Sequence, residues 1–210
     1  MDILESINYY MNLPFLETIA VITALLYVIL AAKGNILCWP MALISTLLYT
    51  AIFYEVYLWM DSLLQVYYFG MAIWGWINWK KAKEQQTLGL PVTFLSIRFH
   101  GVAVASLVII SLAVGFLMDN YTPTDFPYID AATTVFAVFA TYLVVKRVVE
   151  NWLYWVVIDI VSIFIYIEKG LAPTAFLFAF YTLFAIYGFV QWFKLYKGQQ
   201  LQHSPAESLS

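Results

Sequence analysis

Charged side chains are scarce in this sequence: Asp, Glu, Lys and Arg make up 11% of its 210 residues, against 63% hydrophobic. A soluble domain carries roughly 25% charged residues, so this composition excludes one. A single cysteine, Cys38, rules out an internal disulfide and a thiolate metal cluster, and reads as a small buried apolar residue. Ten Lys and Arg against thirteen Asp and Glu leave a net charge of −3 with no basic tract. Nucleic-acid binding therefore has no electrostatic footprint. Histidine is present only at His100 and His203, at a helix end and in the tail, and neither suggests catalysis. There is no GxxxxGK[ST] phosphate loop, no HExxH and no pair of carboxylates on one helix suited to hydrolysis. No enzyme chemistry, catalytic residue, metal or cofactor is expected. Asp2 and Glu5 precede the first lysine, Lys33, the reverse of the basic start of a cleaved signal peptide, so the first apolar segment is expected to stay.

What the chain has in abundance is apolar length. Runs long enough for a hydrocarbon core of roughly 30 Å fall at 15–32, 37–54, 58–79, 99–118, 129–145, 152–167 and 172–193. The expected fold is all-α and polytopic, with seven transmembrane helices. An offset of 113 residues places Trp39 on Trp152, Glu55 on Glu168, Leu58 on Leu171, Tyr68 on Tyr181, Gly75 on Gly188 and Trp79 on Trp192 without a gap. The first three runs map onto the last three and leave the fourth unpaired, a three-plus-one-plus-three plan. One connecting span turns the second triple to the orientation of the first, so the repeats are parallel. Such duplications build transporters with one substrate site between the halves. The predicted organisation is an N-terminal repeat over 1–80, a cytoplasmic linker and connecting helix over 81–128, a C-terminal repeat over 129–194, and a cytoplasmic tail over 195–210 that lacks structure past Gly198.

Seven spans put the termini on opposite sides. Lys33, Lys80, Lys81, Lys83, Arg98, Lys146, Arg147, Lys194 and Lys197 lie on the C-terminal side, and Lys169 alone on the other. The excess of positive charge on the cytoplasmic side sets the N-terminus outside and the C-terminus inside. Asp2, Glu5, Glu17, Glu55, Asp61, Asp119, Asp125, Asp130 and Glu168 crowd the opposite face.

Asp159 is the sharpest polar residue. It lies seven positions inside Trp152, roughly 10 Å down a helix rising 1.5 Å per residue. A charge at that depth costs on the order of 2.5 kcal/mol or more, so an intramembrane carboxylate is a functional candidate by default. The structural alternative is a carboxyl hydrogen-bonded to Ser, Thr or Tyr that locks helices together. Its repeat partner is Thr46, so one half alone carries the charge. Trp155 and Trp152 stand one and two turns before Asp159 on one face. Indoles over a carboxylate form a cage for a flat cation through cation–π attraction and charge pairing. For Trp152, an interface anchor is the competing reading. Asp61, Gln65, Tyr68 and Ala72 share a face of the third helix, opposite the repeat-related Thr174, Phe178, Tyr181 and Ala185. Gln65 opposite Phe178 breaks the symmetry as Asp159 does, although a lone glutamine also bridges helices. Aromatics reach 19% of the chain and recur inside the spans, more than an interfacial belt requires. Scattered single polar residues do not make the repeated rings of an ion channel.

Asn35–Leu37 leading into Cys38-Trp39-Pro40, then Tyr57-x-x-x-Asp61-x-x-x-Gln65-x-x-Tyr68, Gly75-Trp76-x-x-Trp79, Glu150-Asn151-Trp152-x-x-Trp155 and Lys169-Gly170-Leu171 resemble the PnuC-type bacterial vitamin transporters from about Leu16 to Lys194. The resemblance implies a fold related to the SWEET sugar transporters. It also implies facilitated diffusion of an unphosphorylated vitamin across the inner membrane, with trapping by a cytoplasmic kinase. The family's W-x-x-W motif falls on Trp152 and Trp155, and its glutamine on Gln65. Members carrying nicotinamide riboside tend to place an Asn before the glycine of the third and seventh helices; here Ala72 and Trp74 precede Gly75, and Tyr187 precedes Gly188. The second half is similar to the thiamine-transporting PnuT branch. Thiamine is therefore the expected substrate and nicotinamide riboside the alternative; both are flat monocations that Asp159 alone does not separate. The expected substrate-binding set is Trp39, Thr46, Gln65, Tyr68, Trp152, Trp155, Asp159, Ser162, Tyr181 and Tyr187. Partners are the vitamin and membrane lipids, with self-association left open. A membrane sensor or structural protein that binds no small molecule is the competing class.

Overall fold

A computed structural model describes residues 3–55, 59–84, 90–168, 170 and 172–203, with side chains for all of these except 3–14, 59–61, 173, 202 and 203. The described residues form seven helices: α1 (Ile3–Ala32), α2 (Cys38–Glu55), α3 (Trp59–Glu84), α4 (Ile97–Tyr121), α5 (Pro127–Val145), α6 (Asn151–Glu168) and α7 (Ala172–His203). Five contain stretches long and apolar enough to cross a membrane: Phe15–Ala32, Ile97–Tyr121, Pro127–Val145, Asn151–Glu168 and Thr174–Leu201. The stretches described in α2 and α3 fall short because polar groups interrupt them, Ser45, Thr46, Thr50 and Glu55 in one and Gln65, Asn78, Lys80 and Lys81 in the other. The side chain of Asp61, and the whole of Tyr57, Leu58, Lys169 and Leu171, lie outside the described residues.

The chain divides into two compact units, Met1–Leu90 and Pro91–Ser210. In the first, α2 packs against both α1 and α3; in the second, α6 packs against both α5 and α7, and α4 rests on α5. The connecting helix thus belongs with the second triple. Side-chain hydroxyls help pin the first unit: Ser45 donates to Ala20 O on α1 at 3.0 Å, and Ser62 of α3 donates to Thr50 O at 2.9 Å. Neutral hydroxyls bonded to backbone carbonyls satisfy themselves without a buried charge.

The duplication is written into the turn that ends each repeat's first helix. Gly34 and Arg147, repeat partners, both sit at positive φ, 65° and 61°. Gly34 N donates to Ala31 O and Asn35 N to Leu30 O; Arg147 N donates to Val144 O and Val148 N to Leu143 O, the same two bonds displaced by one repeat. Cys38 N to Asn35 O and Trp39 N to Ile36 O recur as Asn151 N to Val148 O and Trp152 N to Val149 O. A left-handed residue closing a helix suits glycine, which has no β-carbon to crowd the following carbonyl. Arg147 holds that conformation without this advantage, and its side chain is anchored instead by Nε donating to Pro91 O at 2.9 Å.

The helices that most outrun, at one end, the apolar stretches read from sequence are α1, α3 and α7. α1 begins at Ile3, α3 runs to Glu84, and α7 continues to His203, past both the predicted boundary at 194 and Gly198. Hydropathy marks where the chain crosses the hydrocarbon, whereas helix length follows backbone hydrogen bonding and tertiary contacts. On α7 those contacts are specific: Gln199 Oε1 accepts from Val92 N at 3.2 Å, and Phe94 packs edge-on against Tyr196 at 4.7 Å. The unstructured tail predicted past Gly198 is therefore helix through His203; residues 204–210 lie outside the described residues.

α4 buries little beyond Leu107, Ser111 and Gly115. A β-carbon at Gly115 would stand 2.6 Å from Cδ1 of Tyr128, so glycine permits the close approach of α5. The helix presents Val102, Ile109, Leu112 and Phe116 outward, as a lipid-facing surface requires.

Candidate functional site

The site is built on α6. Its first turn is set by the Arg147 turn, and from there Trp152, Trp155, Asp159 and Ser162 recur at spacings of three and four, which stacks them along one helical face. Trp152 is 4% exposed; its ring lies over Gly188, where a β-carbon would meet Cδ2 at 2.6 Å, and meets Trp192 edge-on at 5.5 Å and 89°. One turn further on, Trp155 is half-buried and packs with Phe136 and Tyr154 against Ala137, Ala140 and Ile158. Asp159 is 3% exposed and has no hydrogen-bond or ion-pair partner among the described residues. Ser162, buried, follows it. The hydrogen bonds that a helix-locking role for Asp159 would need are not made within the described residues.

The related face of α2 carries Trp39, Ala42, Thr46 and Tyr49. Trp39 repeats the packing of Trp152: its ring fills the space beside Gly75 and meets Trp79 edge-on at 5.1 Å and 84°. The indole nitrogens of Trp39 and Trp152 are both buried without a hydrogen-bond partner. Their position in the core of each unit makes both tryptophans wedges that set the spacing of α2 from α3 and of α6 from α7. Thr46 is buried and donates to Ala42 O at 2.7 Å, bonding its own helix where its partner Asp159 has no bond among the described residues.

Gln65 and Tyr68 are half-buried on α3, with Ala72 buried one turn beyond. On α7, Tyr181 meets Phe178 edge-on at 5.8 Å, and Phe178 stacks on Tyr166 of α6 at 5.2 Å and 23°. Tyr187 is placed differently: it is 40% exposed among Leu183, Ile186 and Val190, off the buried Ala185, Gly188 and Trp192 stripe. Its partner Trp74 is also exposed. Within each helix the predicted residues share a face, except for Tyr187 on α7.

Sequence reading missed the polar cluster at the start of α4 and α6. His100 Nδ1 shares a hydrogen bond of 2.9 Å with the Tyr154 hydroxyl, and its Nε2 lies 3.1 Å from Glu150 Oε1, which also accepts from Leu95 N at 2.9 Å. The only sequence signal was the spacing of four between Glu150 and Tyr154; nothing local pointed to His100. A separate cavity of about 400 Å³ lies among α4, α5 and α6, lined by Val104, Phe136, Val157 and Ile158 and almost wholly apolar. It offers no charge to a polar solute and faces away from the Asp159 stripe.

Helices with lipid-facing apolar surfaces, a turn and a tryptophan–glycine packing that recur 113 residues apart, and a buried carboxylate without a partner among the described residues define a multi-pass helical membrane protein. The chain belongs to the PnuC family: the family described as nicotinamide mononucleotide transporter matches residues 14–194. It is 26% identical over 205 residues to the nicotinamide riboside transporter PnuC of Escherichia coli, covering 86% of each chain. It is 24% identical over 173 residues to the riboflavin/roseoflavin transporter RibM of Streptomyces davaonensis, covering 81% of each. The crystal structure of the vitamin B3 transporter PnuC shares its fold, with a TM-score of 0.72 over 93% of this chain and 88% of that one, at 24% identity.

Proposed function

We propose that this protein carries nicotinamide riboside across the bacterial inner membrane, with seven spans, an external N-terminus and a cytoplasmic C-terminus. The observation that carries the reading is Asp159, buried on α6 with no partner among the described residues, in a chain whose E. coli relative is a nicotinamide riboside transporter. A desolvated carboxylate is costly unless a cation meets it, and the pyridinium of nicotinamide riboside is such a cation. Trp155, half-buried on the same face, offers its ring to the flat heterocycle. Gln65, Tyr68 and Tyr181 are assigned to polar and stacking contacts with the ribose and carboxamide. Neutral riboflavin, the cargo of RibM, leaves the carboxylate uncompensated. Thiamine, also a cation, is the substrate that the second half of the sequence suggested, but the curated relatives favour nicotinamide riboside over it. The transport mode we assign is facilitated diffusion, with a cytoplasmic kinase trapping the vitamin.

Titration calorimetry with nicotinamide riboside, thiamine and riboflavin on the purified protein tests this. Saturable binding in the order nicotinamide riboside, then thiamine, then riboflavin is expected. Thiamine binding first would return the assignment to the thiamine branch. No binding, with no change in tryptophan fluorescence, would favour a sensor or structural role.

A further inference from the structure

The two repeats close their first helix with the same turn and then treat the space beside it in opposite ways. In the second repeat the chain at 91–95 lies across the turn: Thr93 N donates to Arg147 O at 3.0 Å and Val149 N donates to Thr93 O at 2.9 Å. Phe94 closes the space against Phe193 and Tyr196, at 5.9 and 4.7 Å. In the first repeat the groups equivalent to Arg147 O and Val149 N are Gly34 O and Ile36 N, and neither has a hydrogen-bond partner among the described residues. Gly34 and Ile36 line an open cavity of about 270 Å³, floored by the buried Trp79. Where the second repeat has Tyr196 to receive Phe94, the first has Lys83, and Lys33 stands on the cavity's other wall.

We propose that this cavity is an anion site that takes a phosphate group. A strap like 91–95 would bring an aromatic ring to a tyrosine; the exchange of that tyrosine for a lysine removes its seat and supplies a positive charge. Two ammonium groups, Nδ2 of Asn35, whose Oδ1 already accepts from Leu37 N at 2.9 Å, and the Ile36 N–H just before α2 are all donors, and no acidic side chain lines the cavity among the described residues. Convergent charged and backbone donors at a helix start are what phosphate oxygens accept. The cavity lies at the loop end of the first repeat, where Lys80 and Lys81 fall in sequence between its lining residues Trp79 and Lys83, the level at which basic pockets between spanning helices meet lipid phosphates. A phosphodiester headgroup and a soluble phosphate compound share this chemistry.

The test uses the full-length protein in neutral detergent, following thermal unfolding while phosphatidylglycerol, phosphatidylcholine or inorganic phosphate is titrated at constant ionic strength. Saturable stabilisation by phosphatidylglycerol or by phosphate is expected, with at least a tenfold loss of apparent affinity in Lys33→Gln/Lys83→Gln. A Lys194→Gln/Lys197→Gln control on the second repeat should keep it. Response to phosphatidylglycerol alone assigns a lipid headgroup, and response to inorganic phosphate assigns a soluble ligand. Equal affinity in wild type and the Lys33/Lys83 variant, equal loss in the control, or equal stabilisation by phosphatidylcholine would overturn the site. So would stabilisation by a Pro-Val-Thr-Phe-Leu peptide that survives the double substitution, which would assign the cavity to a peptide strap. Both lysines are exposed, so folding is not at stake, and no readout depends on the vitamin.

Discussion

The ring of Trp152 occupies the space that a β-carbon on Gly188 would need, with Cδ2 only 2.6 Å from that position. Trp39 and Gly75 repeat the relationship in the first unit. Glycine is therefore required by close packing of a large ring at ordinary helical φ. Gly188→Ala and Gly75→Ala are each expected to destabilise the protein by about 1–3 kcal/mol through overpacking. Gly70→Ala, whose β-carbon would meet nothing within 4 Å, should be neutral or stabilise by up to about 1 kcal/mol through helix propensity. Thermal melts of the three variants in one detergent give the comparison, and equal melting temperatures would refute the wedge.

The two tryptophans of the W-x-x-W motif should separate. Trp152→Ala empties a fully packed position and is expected to lower stability by about 3–5 kcal/mol. Trp155→Ala, which removes a half-buried ring from the Ala137, Ala140 and Ile158 cluster, should cost less stability than Trp152→Ala and weaken vitamin binding by at least about 1 kcal/mol. Unchanged affinity in a folded Trp155→Ala protein would remove that ring from the site.

Asp159→Asn should keep the fold, since the amide is isosteric and cheaper to bury. Affinity for nicotinamide riboside should fall by about 1–3 kcal/mol as the charge-assisted contact is lost. The reduced riboside, whose dihydropyridine ring is uncharged, should bind wild type and variant about equally, which isolates the charge contribution. An earlier melt with undiminished affinity for the cation would make the residue structural.

Transport should equilibrate. Liposomes holding a riboside kinase and ATP are expected to accumulate label, whereas empty liposomes should only reach the outside concentration. Accumulation in empty liposomes under a pH or sodium gradient would establish coupling and exclude facilitated diffusion.

At Arg147, backbone strain and a hydrogen bond oppose each other. Arg147→Ala removes the Nε to Pro91 O bond while keeping a β-carbon at φ 61°, and should cost about 0.5–1.5 kcal/mol. Arg147→Gly loses the same bond but relieves the conformation, so it should be the more stable of the two by up to about 1 kcal/mol. Denaturant or thermal midpoints of the pair check the order.

The duplication was legible from residue identity alone, because Trp39, Gly75 and Trp79 recur at a fixed offset, and large rings beside glycines survive only where the backbone geometry is repeated. The helical character was legible for a related reason: in hydrocarbon the backbone must satisfy its own hydrogen bonds, so apolar length implies helix. Asp159 was legible as an outlier of charge in an apolar run, and its column with Trp155 and Ser162 follows from helical spacing. Helix ends were not legible, because Gln199 and Phe94 extend and clasp α7 through contacts made far along the chain. Nor did the sequence show that Trp152 is a packed wedge while Trp155 is half-open, or that Tyr187 faces away from its repeat. The His100, Glu150 and Tyr154 cluster and the contrast between a strapped turn at Arg147 and an open one at Gly34 arise only when residues some fifty positions apart, Thr93 and Arg147 among them, are brought together. Periodicity and composition govern what each helix buries; which neighbour fills the space it leaves is decided by tertiary packing alone.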